Sequence, residues 1–93
     1  MTAVSIAKKS RDFLNDLQPK QYKQVANRVL ALVSDPFPSD YRHLSGHPGC
    51  YRLDSGEFRI IYSFDPKESL IEVRIIGKRN DDEVYREFDR VKK

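Results

Sequence analysis

The segment YRLDSGEFRIIYSF, residues 51–64, contains two candidate β-strands joined by a tight turn, and the rest of the predicted fold is arranged around this hairpin. We place the turn at Ser55-Gly56, a residue pair that suits a two-residue hairpin loop. In that register the facing pairs are Arg52 with Arg59, Leu53 with Phe58 and Asp54 with Glu57. Like charges that face each other across a hairpin usually cost about a few tenths of a kcal/mol or more. The two arginines are therefore the first candidates for a functional site.

The sequence around this hairpin predicts a meander of three strands. Their predicted bounds are Cys50–Asp54, Glu57–Phe64 and Leu70–Gly77, with a loop of five residues before the last strand. If Phe64 pairs with Leu70, the odd-numbered residues of the last two strands share one face. Arg79 would then project toward the side of Arg59. Arg74, in the last strand, and Lys78, just after it, are further basic residues that we expect to bind substrate.

Two helices are predicted before the meander and one after it. Apolar spacing predicts the first helix over Ala7–Leu17 and a second that begins at Pro19 and stops at Asp35-Pro36. Val4–Ile6 is a candidate first strand, and an apolar stripe predicts a short last helix over Asp82–Val91. The order β-α-α-β-β-β-α predicts an α+β fold, in which an N-terminal helical hairpin packs on an antiparallel sheet. All 93 residues form a single predicted domain.

Composition excludes several classes of protein. The single cysteine, Cys50, excludes an internal disulfide and a multi-cysteine metal site. No apolar run approaches the length of a membrane helix, and the N-terminal charges follow the apolar part, unlike a secretory signal. We therefore expect a cytoplasmic protein with no membrane partner. The net charge of +3 permits a nucleic-acid partner without requiring one.

Two blocks, CYRLDSGEFRIIY at 50–62 and IIGKRNDDEVY at 75–85, resemble the RelE branch of the RelE/ParE toxin superfamily. The resemblance implies the toxin of a type II toxin–antitoxin system, which cleaves mRNA in the ribosomal A site and is held inactive by a cognate antitoxin. It also implies no cofactor and no metal. The residues that match the family's catalytic positions are Arg52, Arg59, Arg79 and Tyr85.

The implied chemistry explains why arginines would be grouped. The RNA 2′-OH attacks the adjacent phosphate and leaves a 2′,3′-cyclic phosphate and a 5′-OH, while negative charge gathers on the phosphoryl oxygens. Guanidinium groups stabilise that charge but stay protonated, so they are poor general acids or bases. We expect Arg59 to stabilise the phosphoryl oxygens, Arg52 to lower the effective pKa of the 2′-OH, and Arg79 to assist the departing oxygen. Tyr85 is expected to stack on a base or to hydrogen-bond at the scissile site.

One position departs from the family pattern and keeps other functions open. Many members have a second basic residue two positions after the Arg52 equivalent, where this chain has Asp54. A carboxylate there would weaken phosphate binding or alter proton transfer. The alternatives are a ParE-type inhibitor of DNA gyrase and a non-catalytic, antitoxin-binding protein of the same fold. Structural roles are also open, with Arg52 and Arg59 as solvated strand residues and Tyr85 as part of the core.

Overall fold

The computed structural model describes residues 2–78. It contains β1 (Ala3–Ile6), α1 (Lys8–Asn15), α2 (Pro19–Ser34), β2 (Arg42–His43), β3 (Cys50–Ser55), β4 (Phe58–Asp65) and β5 (Leu70–Lys78). Two helices and one sheet confirm the predicted α+β class, and both predicted helices and all four predicted strands are present. The predicted last helix, Asp82–Val91, lies outside the described residues, as do Arg79 and Tyr85.

The two helices pack on one face of the sheet through apolar side chains. Proline fixes the first turn of α2, and the side chain of Gln21 accepts a hydrogen bond from the backbone N–H of Gln18 at 3.4 Å. From α2, Val25, Val29 and Leu32 enter the core, as the spacing i, i+4, i+7 requires. The sheet contributes Leu53, Phe58, Ile60, Tyr62, Ile71, Val73 and Ile76 to the same core.

The sheet has five strands in the order β1-β5-β4-β3-β2. β1 pairs parallel to β5, whereas the pairs β2–β3, β3–β4 and β4–β5 are antiparallel. The sheet is therefore mixed rather than wholly antiparallel. Strand β2 is missing from the sequence prediction, because a strand of two residues has no period that a sequence pattern can reveal. It forms one edge of the sheet and pairs with β3.

The turn of the central hairpin lies one residue later than predicted. Ser55 pairs with Phe58, so the two turn residues are Gly56 and Glu57. Gly56 has a φ of +59°, which suits the first central position of a type II′ turn, where glycine is preferred. The predicted facing pairs are therefore wrong: Arg52 lies opposite Ile61, and Asp54 lies opposite Arg59.

The predicted register between the last two strands is also wrong by one residue at the loop end, where Phe64 pairs with Ile71. An irregularity at Ile61/Tyr62 then shifts the pairing, as a β-bulge does. Beyond it, Arg59 lies opposite Gly77. Odd-numbered residues of the two strands therefore share a face only at this end of the sheet.

We expect Gly56→Ala to lower the free energy of unfolding by about 1–2 kcal/mol, because a left-handed backbone conformation disfavours a side chain. The added Cβ would also lie 2.8 Å from Nε2 of Gln24, which must move. Gly49→Ala is a matched control, since Gly49 has a φ of +83° and open space around it. Urea unfolding should show a loss in both variants, and the larger loss in Gly56→Ala. Wild-type stability of Gly56→Ala would contradict the turn assignment.

Tyr62 anchors the chain that follows α2. Its ring is fully buried, and its hydroxyl donates a 2.7 Å hydrogen bond to the backbone oxygen of Pro36. Burial raises the pKa of the Tyr62 hydroxyl above its ordinary value, and the neighbouring Tyr41 and Tyr51 raise this pKa further. The protonated form is therefore the one that the folded protein stabilises.

This shift predicts a loss of stability in alkali. Above about pH 10 an unfolded tyrosine loses its proton while folded Tyr62 keeps it, so stability should fall by up to about 1.4 kcal/mol per pH unit from this group. Tyr62→Phe should remove that part of the decline and cost about 1 kcal/mol at neutral pH through the lost hydrogen bond. Urea unfolding at pH 7 to 11 measures both effects, with Tyr22→Phe, at an exposed tyrosine, as the control. An unchanged decline in Tyr62→Phe would contradict the assignment.

Candidate functional site

The face of the sheet that points away from the helices, called the outer face below, carries the central arginines. Cross-strand partners project from the same face of a sheet, and Arg52 faces Ile61 while Asp54 faces Arg59. Alternation along each strand then puts all four side chains on one face. The prediction that Arg52 and Arg59 share a face is confirmed, although the two are diagonal neighbours rather than a facing pair.

Arg59 forms an ion pair with Asp54 across the hairpin. Its Nε donates to Oδ1 of Asp54 at 2.9 Å, and its Nη2 lies 3.5 Å from Oδ2. The Arg59 side chain is 12% exposed, whereas that of Asp54 is 36% exposed. A guanidinium that is largely removed from water needs an anion beside it, and Asp54 provides that anion. The pair therefore fixes the orientation of Arg59 and offsets its charge.

Arg52 does face another arginine, but that arginine is Arg42. The register of β2 and β3 sets Arg42 opposite Arg52, so the outer face bears three arginines on three neighbouring strands. The Nη1 atom of Arg42 donates to the backbone oxygen of Tyr41 at 2.9 Å, and the residue is exposed. Sequence reasoning missed Arg42, because nothing in the segment between α2 and β3 predicts a strand.

The two remaining described candidates are Arg74 and Lys78. Arg74 is exposed and donates from Nε to Oγ of Ser63 at 3.2 Å, with its Nη2 3.9 Å from Oε1 of Glu72. Lys78 is exposed and pairs with Phe58, a residue of the helix-side core, so its Cβ lies on the face opposite Arg59. The fold thus brings Arg52 and Arg59 together on the outer face. Arg74 contacts Ser63 instead, and Lys78 projects from the opposite face of the sheet.

A second apolar cluster supports the outer face. It consists of Leu44, Cys50, Ile61 and Ile75, all of which are buried. Ile61 belongs to it and lies directly opposite Arg52, so the base of that arginine side chain stands beside apolar surface. An apolar surround strengthens the interaction of a guanidinium with an anion, because the local dielectric is lower than that of water.

The described part of the chain offers little for metal chemistry. Across residues 2–78, no three His, Cys, Asp or Glu side chains are grouped as metal ligands would be. His43 is exposed in β2 and packs its ring against Tyr51, with ring centroids 5.3 Å apart. No helix in residues 2–78 has the length and apolar character that a membrane span requires.

The arrangement suits an anionic ligand. Arginines on neighbouring strands offer planar arrays of N–H donors that match phosphate oxygens and remain charged at any physiological pH. Asp54 accepts hydrogen bonds from Arg59 and therefore competes with a phosphate for that guanidinium. Asp54 is also a group on this part of the face that can accept a proton, which an arginine cannot do.

Comparison with known proteins identifies the fold. Neither a protein-family model nor a curated protein matches the chain. Among solved structures, the RelE–RelB complex from Pyrococcus horikoshii OT3 is 25% identical, with a TM-score of 0.74 over 84% of this chain and 94% of that one. The isolated E. coli RelE toxin is 18% identical, with a TM-score of 0.74 over the whole of both chains. The toxin–antitoxin complex RelBE2 from Mycobacterium tuberculosis is 19% identical, with a TM-score of 0.73 over 84% and 98%.

These similarities extend over most of each chain, and they agree with the resemblance seen in residues 50–62 and 75–85. At such identities they establish architecture rather than activity. The chain has the RelE-type toxin fold.

Proposed function

We propose that this protein is the toxin of a type II toxin–antitoxin system and an endoribonuclease that cleaves mRNA in the ribosomal A site. The main support for the proposal is that Arg52 and Arg59 lie on one face of the sheet in a chain with the RelE-type toxin fold. Two arginines side by side match the anionic backbone of RNA, and they are placed where the resemblance implies catalysis.

The proposed reaction is attack by the 2′-OH of the target nucleotide on the adjacent phosphate. The 2′-OH releases its proton to solvent as the 2′-oxygen bonds to phosphorus. The bond to the 5′-oxygen breaks, and that oxygen takes a proton from solvent, so the products carry a 2′,3′-cyclic phosphate and a 5′-OH. Arg59 stabilises the charge that gathers on the phosphoryl oxygens, and Arg52 stabilises the developing 2′-oxyanion. Neither step requires a metal ion or a cofactor.

Arg79 and Tyr85 complete the proposed catalytic set on the resemblance alone, with Arg79 assisting the leaving oxygen and Tyr85 contacting the base. Lys78 and Arg74 are proposed to bind the RNA backbone farther from the scissile bond. Both are exposed, as a phosphate contact requires, although Arg74 donates a hydrogen bond to Ser63 that a phosphate would have to replace.

Slow chemistry in solution is expected from such a site, because arginines stay protonated and cannot move the proton of the 2′-OH. Placement of the mRNA by the ribosome would supply the orientation that raises the rate. The mRNA and the ribosome are therefore the proposed substrate and partner, and the cytoplasm is the proposed location.

A cognate antitoxin is the second proposed partner. Structures of RelE toxins with their antitoxins have this fold in common with the chain. We propose that an antitoxin segment covers the outer face or displaces the segment 82–91, so that mRNA cannot reach the arginines. Co-expression with the adjacent reading frame should relieve toxicity if that frame encodes the antitoxin.

Cleavage of mRNA on programmed ribosomes, mapped by primer extension, tests the proposal. The purified protein should cut within the codon in the A site and should leave gyrase supercoiling unaffected. A ParE-type inhibitor would give the reverse result. The ion pair between Arg59 and Asp54 favours the other alternative, a protein that binds an antitoxin without cleaving RNA, because it engages the proposed catalytic guanidinium. Antitoxin binding without cleavage would establish that alternative.

A further inference from the structure

Arg42 and Arg52 form a second basic site on the outer face, beside the pair formed by Arg59 and Asp54. They are directly opposite each other on β2 and β3. Within residues 2–78, neither guanidinium makes an ion pair with a carboxylate. The nearest carboxylate in register, Asp54, is already engaged with Arg59. Among the described residues, two facing cations thus stand together with no carboxylate paired to either of them.

Facing like charges destabilise a sheet, and an anion held between them reverses the sign of the effect. A phosphodiester suits the position because its two non-bridging oxygens can each accept from a different guanidinium. Arg42 is exposed on an edge strand, so a ligand can approach it from solvent. The arrangement therefore favours a phosphate that bridges the two strands.

The order of the strands indicates the path that a bound RNA strand would follow across the sheet. Along the sheet, Arg59 lies on β4, Arg52 on β3 and Arg42 on the edge strand β2. Neighbouring strands are about 4.8 Å apart, so Arg42 is roughly 10 Å from β4. A phosphate at Arg42 and Arg52 is then next to one at Arg59 rather than at the same place. A single RNA strand that crosses the β-strands can occupy both positions.

We propose that Arg42, together with Arg52, binds the backbone phosphate that flanks the scissile phosphate, and that the RNA runs across the strands from β4 toward the β2 edge. Different N–H groups of Arg52 then contact this phosphate and the developing 2′-oxyanion. The proposal rests on the proposed function for the identity of the ligand. It assigns a role to Arg42 in binding, outside the chemical step. Continuity with Arg59 favours RNA over an acidic peptide as the occupant.

Binding is measured by fluorescence anisotropy with a short single-stranded RNA whose target nucleotide is 2′-deoxy, which prevents cleavage. Arg42→Ala should bind about 3- to 10-fold more weakly at low salt, and the slope of log affinity against log salt should fall by about 0.7. Arg42→Lys should keep the slope and recover only part of the affinity, because lysine lacks the planar fork. Arg11→Ala, which removes an exposed arginine from α1, is the matched control and should bind as wild type does.

Cleavage on ribosomes separates this proposal from the proposed function. Arg42→Ala should act mainly on KM, since it removes substrate binding and not transition-state contacts. Cleavage by wild type together with unchanged RNA affinity in Arg42→Ala would overturn the phosphate site and leave the nuclease intact. Arg42-dependent RNA binding without any cleavage would overturn the nuclease and support the phosphate site. A variant that loses affinity only for an acidic antitoxin peptide would overturn the RNA assignment.

Discussion

Arg59→Ala should lower the rate of mRNA cleavage by about 100- to 1,000-fold, because loss of one preorganised donor to a developing oxyanion typically has an effect of that size. The structure supports this choice of residue. Arg59 is central on the outer face, and Asp54 fixes its guanidinium through two nitrogen atoms. The loss should fall on kcat, since the interaction strengthens as charge gathers on the phosphoryl oxygens. Primer extension on programmed ribosomes gives the rate.

Controls must separate catalysis from folding. Removal of Arg59 leaves Asp54, whose side chain is 36% exposed and can be hydrated, so the variant should remain folded. Arg59→Lys should recover only part of the rate, because the charge remains and the fork is lost. Arg11→Ala should cleave as wild type does. Equal rates for wild type and folded Arg59→Ala would remove Arg59 from the mechanism.

Asp54→Asn should raise the affinity for RNA by about tenfold, because it removes a carboxylate that competes with phosphate while keeping a hydrogen-bond acceptor for Arg59. The substitution adds one net positive charge to the outer face, so binding should also become more sensitive to salt. Anisotropy with the 2′-deoxy RNA at several salt concentrations measures both effects. Asp12→Asn is the matched control, because its carboxylate is exposed and pairs with Lys8 on α1.

The rate of cleavage by Asp54→Asn distinguishes two roles for this carboxylate. We expect the rate to rise or to stay the same, since Asp54 holds Arg59 in place and offsets its charge through the ion pair. A general base contributes about 100- to 10,000-fold to a proton-transfer step. A loss of that size with RNA affinity retained would show that Asp54 takes the proton of the 2′-OH.

Periodic apolar residues predict most of the helices and strands, but they do not predict the pairing register between the strands. Val25, Val29 and Leu32 have helical spacing, and Phe58, Ile60 and Tyr62 alternate, so both elements follow from the sequence. A two-residue turn can place glycine at either central position. The choice at Gly56 depends on turn type. A turn that lies one residue later moves the partner of each β3 residue by two positions along β4, from Arg59 to Ile61 in the case of Arg52.

The candidate site was readable only in part, for the same reason. Arg52 and Arg59 share a face in both the predicted and the observed register, because the partner of each residue moves by two positions and side chains alternate with a period of two. The partners depend on the register itself, so the ion pair with Asp54 and the facing arginine at position 42 were not predicted. Strand β2 owes its position to pairing with β3 and not to a local pattern, and only three-dimensional structure reveals it.

If this protein cleaves RNA through the 2′-OH of its target, with arginines as the stabilising groups, a target that lacks this hydroxyl should resist cleavage. The most direct measurement uses two mRNAs on programmed ribosomes, one with a 2′-OH and one with a 2′-deoxy nucleotide at the cleavage position, followed by analysis of the product ends. We expect cleavage of the first mRNA alone, with a cyclic phosphate and a 5′-OH at the new ends. Cleavage of both mRNAs, new ends with a 5′-phosphate, or no cleavage of either would contradict it.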